Sequence, residues 1–225
     1  MKTKKIILVG TSAFAEVAYE YFTHDSEYEV VAFAVEAKFK TEDKKFGLPI
    51  VTVESCADVY KPDDFYFYAA ITYKELNYLR SRLYNSMKNL GYKAASYISS
   101  KAYIWPNVDL GEHVFIFENN VIQPFSKIDT NVVLWSGNHI GHHSSIRKNC
   151  FISSHVVISG FCDIGEHTFI GVNATIADRV SVGKDNFIGS SAIILSNTTE
   201  NSIYQSVETV KHKIPAKRLF KVKKQ

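Results

Sequence analysis

The chain has 225 residues, 46% hydrophobic and 22% charged, with a net charge of +3. That balance is globular and excludes both a disordered chain and a protein that coats nucleic acid. Much of the basic excess lies between Lys211 and Lys224, so any bias toward anions sits at one end.

Three cysteines, Cys56, Cys150 and Cys162, give neither a disulfide framework nor a CxxC metal pair, as expected of reduced thiols in a cytoplasmic protein. The apolar run Ile6 to Val9 is too short for a secretory signal. No stretch approaches the roughly 20 apolar residues of a membrane span.

In chain order, Lys4–Val9 predicts a strand that stops at Gly10. A helix follows, with Ala13, Val17 and Tyr21 on one face. Tyr28–Phe33 and Asp64–Ala70 predict two further strands. Thr72 and Glu75 form a T-x-x-E capping box ahead of the helical spacing Leu76, Leu79, Leu83, Met87 and Leu90, with Gly91 as the stop. Tyr92–Tyr97 reads as a last strand. Alternating strands and helices make residues 1–97 a small parallel α/β sheet of Rossmann-like type.

Such a sheet binds ligands at the carboxyl ends of its strands. Here those ends are the turn Gly10-Thr11-Ser12-Ala13-Phe14 and the pair Val35-Glu36. The dinucleotide fingerprint needs three glycines, whereas this chain has Ser12 and Ala15 at the second and third places. That disfavours NAD and favours a mononucleotide or a nucleotide-sugar.

The second half repeats. From Ile98 to Ile194, every sixth residue is Ile, Leu or Val, for seventeen consecutive positions without an insertion. The fourth residue after each is mostly small, β-branched or Asn, and Gly often follows the aliphatic residue directly, as at Gly111, Gly141, Gly165 and Gly171. Each hexad is then a short strand plus a corner, and three hexads close a triangular coil of eighteen residues rising roughly 4.8 Å. Aliphatic and small side chains alternate inside because two large ones overfill the section. Gly and Asn are expected at corners that need unusual backbone angles. Residues 98–199 are therefore a parallel β-helix, and 200–225 a basic tail.

Four histidines cluster in this half, His139, His142, His143 and His155. His142 falls on an outward corner, and one coil further stands Gly160. An exposed imidazole beside an open backbone N–H can serve as a general base with an oxyanion donor.

A Rossmann-like domain followed by hexapeptide repeats resembles the sugar acetyltransferases of the bacillosamine and perosamine pathways, a family that also has sialic-acid O-acetyltransferase-like members. The resemblance covers nearly the whole chain. It is carried by Gly10-x-Ser12, Ile140-Gly141-His142, Phe169-Ile170-Gly171-Val172-Asn173-Ala174 and Pro215-Ala216-Lys217-Arg218. The stretch Leu134–Ser159 looks like enzymes that acetylate dTDP-4-amino-4,6-dideoxyglucose.

The resemblance implies a left-handed β-helix and a homotrimer with active sites between subunits. It implies transfer from acetyl-CoA to the 4-amino group of a nucleotide-linked sugar, in bacterial surface polysaccharide (O-antigen) biosynthesis. It places the catalytic base on His142, with His143 beside it, and the oxyanion donor on Gly160. Acetyl-CoA contacts fall on Phe151, Gly160, Val172, Ser190, Lys217 and Arg218, with Lys211 and Lys213 near the CoA phosphates. Sugar-nucleotide contacts fall on Gly10, Ser12, Ala13, Phe14, Val35 and Glu36. No metal, nucleic acid or membrane insertion is implied.

The chain departs from the family in four places. His143 stands where a carboxylate follows the catalytic histidine, Phe151 replaces a CoA-contacting histidine, the acidic pair usual after the second strand is reduced to Glu36, and Lys213-Ile214 replaces a glycine before the Pro-Ala-Lys. An O-acetyltransferase on the same scaffold is the nearest rival. A zinc lyase using His142, His143 and His155 or His167, and a non-catalytic sugar-nucleotide sensor, are further alternatives.

Overall fold

The computed structural model describes residues 2–222. The first domain contains β1 (Lys4–Val9), α1 (Ala13–His24), β2 (Tyr28–Val35), β3 (Lys44–Lys45), β4 (Leu48–Thr52), α2 (Cys56–Val59), β5 (Phe65–Ala69), α3 (Tyr78–Asn89) and β6 (Lys93–Ala94). The sheet order is β3-β4-β2-β1-β5-β6, and every pair is parallel except β3 with β4. The order of connection reverses between the parallel strands β1 and β5, so a crevice opens beyond their carboxyl ends.

Two local expectations are corrected. The buried line of α1 is Phe14, Ala15, Ala18 and Phe22; Val17 and Tyr21 only flank it. The capping box does not form. Glu75, Leu76 and Asn77 all adopt positive φ (54°, 48° and 69°), and α3 begins after them at Tyr78. Three successive left-handed residues without a glycine cost on the order of 1–2 kcal/mol each. Tertiary bonds hold them there: Asn77 Nδ2 donates to the His167 carbonyl at 2.9 Å, and its Oδ1 accepts from Arg80 at 3.0 Å.

From Tyr97 onward the chain winds as two-residue strands, each paired in parallel with the strand eighteen residues away. They form three sheets of seven, six and five strands, the sides of a triangular prism. The hexad aliphatics from Ile116 to Ile188 have at most 3% exposure and stack with Val114, Val132, Val156 and Ala174 as one core. A final strand, Ile203–Tyr204, lies inside the segment read as tail. It pairs with Phe187–Ile188 at a separation of sixteen rather than eighteen, because the hexad is broken after Ile194.

The corners use glycine differently from expectation. The positive-φ corner position recurs every six residues, yet it is filled by Asn119, Phe125, Asn131, His143, Asn149, His155, Phe161 and others, with Gly137 among them. The glycines after the aliphatic residue answer another constraint. A Cβ on Gly111, Gly141, Gly165 or Gly171 would approach the backbone of the next coil to 2.4–2.5 Å. They permit close stacking of coils, not a left-handed turn.

The outward residues differ by side. The seven-stranded side carries Tyr97, Phe115, Phe117, Trp135, Phe151 and Phe169, and the first domain docks on it through Phe14 and Phe22 of α1. The five-stranded side is charged, with Arg147 paired to Asp163 at 2.7 Å. The six-stranded side is apolar and uncovered in the single chain, presenting Tyr103, Trp105, Val121, Val157, Ile193 and Leu195.

Arg80 joins the two domains. It is completely buried, and its guanidinium donates to the carbonyls of Thr72 (3.1 Å), Asn149 (2.9 Å) and Cys150 (3.1 Å). Burial pushes its pKa down to about 10, so it stays charged at neutral pH. Around it runs a ladder of corner side chains: His113 Nδ1 to Asn131 Oδ1 at 2.8 Å, Asn131 Nδ2 to Asn149 Oδ1 at 2.8 Å, and Asn149 to His167 at 3.1 Å.

Candidate active site

At the carboxyl end of β1 the chain turns through Gly10, whose φ is +117°; a Cβ there would lie 3.0 Å from the Ala70 carbonyl oxygen. Only glycine fits that turn. It opens a cavity of about 300 Å³ whose lining includes Gly10, Ser12, Val35 and Glu36, four of the expected substrate contacts. Thr72 and Lys74 close its other side. Ser12, at the cavity, makes no side-chain cap, and the N–H groups of Ala13 and Phe14 have no acceptor among the described residues.

Glu36 is held by Arg82 through two bonds, at 2.8 and 3.1 Å. The guanidinium keeps its carboxyl below the usual carboxylate range. Ala13 and Phe14 do not line the cavity. The Phe14 ring is 2% exposed and belongs to the domain junction, which leaves only its backbone N–H for a ligand.

The second candidate lies on the prism edge between the apolar and charged sides. Strand His139–Ile140 leads into the corner, and strand Ser145–Ile146 leaves it. His142 and His143 are both exposed there. Gln123 accepts from the His142 backbone N–H at 3.0 Å. The His142 ring lies over Gly160 in the next coil: a Cβ on that glycine would meet Cε1 at 3.0 Å and Nε2 at 3.1 Å. A side chain at this position would crowd the imidazole by a few tenths of an ångström. Among the described residues, nothing accepts a hydrogen bond from the Gly160 N–H. Asp178 approaches the same point, with Oδ1 3.3 Å from it.

The other expected residues lie elsewhere. Phe151, expected beside acetyl-CoA, is 2% exposed and packs against Tyr73, Trp135 and Phe169, with the Arg80 guanidinium 5.7 Å from its ring centre. Its ring is reserved for the domain junction, a correction to the sequence reading. Val172 and Ser190 are exposed on the edge between the docked and apolar sides. They and His142 thus border the apolar side from opposite edges. Lys217 and Arg218 lie in an exposed short helix, Ala216–Leu219, within a tail that is exposed throughout from Gln205. His155 and His167 occupy corners other than that of His142 and His143.

Lys74, Arg80 and Asp178 escaped the sequence reading. Asp178 was legible, because it stands two coils beyond His142 in the same phase of eighteen. Arg80 was not, since nothing local marks a buried cation on an otherwise amphipathic helix.

No protein-family model and no curated protein matches this sequence. Solved structures do match. The acetyltransferase domain of PglB from Neisseria gonorrhoeae superposes with a TM-score of 0.81 at 21% identity, covering 91% of this chain and 97% of that one. PerB from Caulobacter crescentus, solved with CoA and GDP-perosamine, gives 0.79 at 20% identity over 90% of this chain and 94% of that one. WeeI from Acinetobacter baumannii gives 0.68 at 17% identity over 89% and 96%. The chain shares their fold: an N-terminal α/β region and a parallel β-helix.

Proposed function

We propose that this chain is an acetyl-CoA-dependent N-acetyltransferase whose acceptor is the 4-amino group of a nucleotide-linked 4-amino-4,6-dideoxy sugar. The observation that carries the reading is the corner where the exposed His142 imidazole lies over Gly160, whose N–H has no acceptor among the described residues. The cavity at Gly10 and Ser12 supplies the place for the nucleotide. The order of its parallel strands, third-second-first-fourth-fifth in chain sequence, supports reading it as a Rossmann-like sheet. A dTDP-linked sugar is favoured by the resemblance of Leu134–Ser159.

In this reading the amine attacks the thioester carbon while His142 Nε2 takes its proton. The Gly160 N–H donates to the oxyanion, and the CoA thiolate leaves as the intermediate collapses, taking up a proton. The α1 N-terminus and Lys74 face the diphosphate, and Glu36 accepts from a ribose or sugar hydroxyl. The basic residues Lys217 and Arg218 meet the CoA phosphates as charges on an exposed arm.

The cavity and the His142 edge lie on different sides of one chain. A homotrimer of left-handed β-helices, in the cytoplasm, that buries the apolar side would bring the His142 edge of one chain to the Val172 and Ser190 edge of the next. The test is turnover with acetyl-CoA and dTDP-, UDP- and GDP-linked 4-amino sugars, followed by mass spectrometry. A product heavier by one acetyl group and stable to hydroxylamine supports the amide. A hydroxylamine-labile ester, or no product, contradicts it.

A further inference from the structure

The His142 ring has one polar side-chain partner among the described residues, and it is the neighbouring histidine: the two Nδ1 atoms are 3.1 Å apart. Only one proton fits between them, so one ring donates and the other accepts. His143 is itself clamped. Its ring stacks between Phe125 (centroids 4.7 Å, interplanar 29°) and Phe161 (4.8 Å, 17°), the same corner position one coil before and one coil after. Arg179 caps the stack 4.4 Å from the Phe161 ring and pairs with Asp178 at 3.2 Å. The His142 ring stands at 89° to that of His143 and meets it edge-on. The stack thus fixes the plane of His143 and turns its Nδ1 toward His142. Phe125 and Phe161 are 62% and 42% exposed, a poor place for phenyl rings unless they clamp something.

We propose that His143 is a positioning residue: its unprotonated Nδ1 accepts from His142 Nδ1–H and keeps His142 in the tautomer whose Nε2 is free to take a proton. The inference rests on the reading of His142 as base. Fixing the tautomer of a catalytic imidazole through its second nitrogen is otherwise the work of a carboxylate or carbonyl; here a neutral ring does it. Asparagine can put Oδ1 close to the place of Nδ1 and tolerates the positive φ of 59° at this corner. Phenylalanine keeps the stack and removes the acceptor.

The experiment compares His142→Ala, His143→Phe and His143→Asn for turnover and melting, with side-chain ¹⁵N NMR of the histidine-labelled protein at neutral pH. Expected is a loss in His143→Phe of about 10-fold or more in kcat, bounded by the 10²–10⁴-fold that a general base supplies. KM and melting should stay unchanged, and His143→Asn should recover most of the loss. The NMR should show His142 protonated on Nδ1 in the native chain and on Nε2, the form an unconstrained histidine side chain prefers, in His143→Phe. Full turnover in His143→Phe overturns the positioning role while leaving the base assignment standing, and His142 protonated on Nε2 in the native chain overturns the positioning role as well. Full turnover in His142→Ala removes the base assignment itself.

Discussion

At the scale of single residues, the account turns on how closely His142 and Gly160 approach. Gly160→Ala puts a methyl 3.0 Å from the imidazole, tighter than ordinary contact, so the ring must shift by a few tenths of an ångström off its line with the amide. Turnover should fall by up to about 10²-fold, the usual cost of losing one aligned oxyanion donor or base, with melting little changed because the side chain that must move, His142, is exposed. Steady-state kinetics beside a thermal melt would check it.

His113 makes a prediction of another kind. It is fully buried against Tyr68, its Nε2 accepts from the Ala69 N–H at 2.8 Å, and burial pushes its pKa down to about 3. The unfolded chain therefore binds a proton below about pH 6.5 that the native chain refuses, and stability falls with falling pH from there toward pH 3. Between pH 6.5 and 5 the loss from this residue is about 2 kcal/mol. Urea unfolding of the native chain and of His113→Asn at pH 7 and pH 5 measures it; the variant should be less sensitive to the change.

At the scale of elements, the prism was legible because one period governs it. A break of six-fold spacing at any of seventeen positions would have shown, and the strands follow the pattern from Tyr97 to Ile194. Ile152→Ala, in the middle of that stack, should cost about 2–5 kcal/mol through the cavity it leaves. What the period hid was the reason for glycine: a Cβ on Gly165 would lie 2.4 Å from the backbone of the next coil, while Asn149 and His167 take the left-handed turns.

The first domain read less well because local signals there lose to tertiary bonds. T-x-x-E at Thr72 promised a helix start, but the bonds from Asn77 and Arg80 to the prism hold 75–77 left-handed. Arg80→Leu should cost about 3 kcal/mol or more, since several buried carbonyls lose their donor at once. It should also weaken nucleotide binding, because Thr72 lines the cavity and its carbonyl is one of those acceptors. Denaturation and ligand-induced thermal shift would read the two effects separately.

At the scale of the molecule, the fold assigns a task to each side of the prism. One side carries the first domain, one is charged, and one is apolar with the proposed base on one edge and Val172 and Ser190 on the other. The sequence could separate these sides only as residue lists eighteen apart. That the Phe151 list is covered by α1 and α3 required the docking itself, which is why the burial of the Phe151 and Phe14 rings was not legible in the sequence.

The central claim is that the imidazole of one chain serves the nucleotide cavity of another. Co-expressing His142→Ala with Ser12→Glu, an exposed change at the cavity mouth that repels phosphate, tests it directly. Each variant alone should be inactive. Mixed oligomers should regain about a quarter of native turnover, one half for each intact partner at a shared site. Mixed oligomers that stay as inactive as the separate variants would contradict the account.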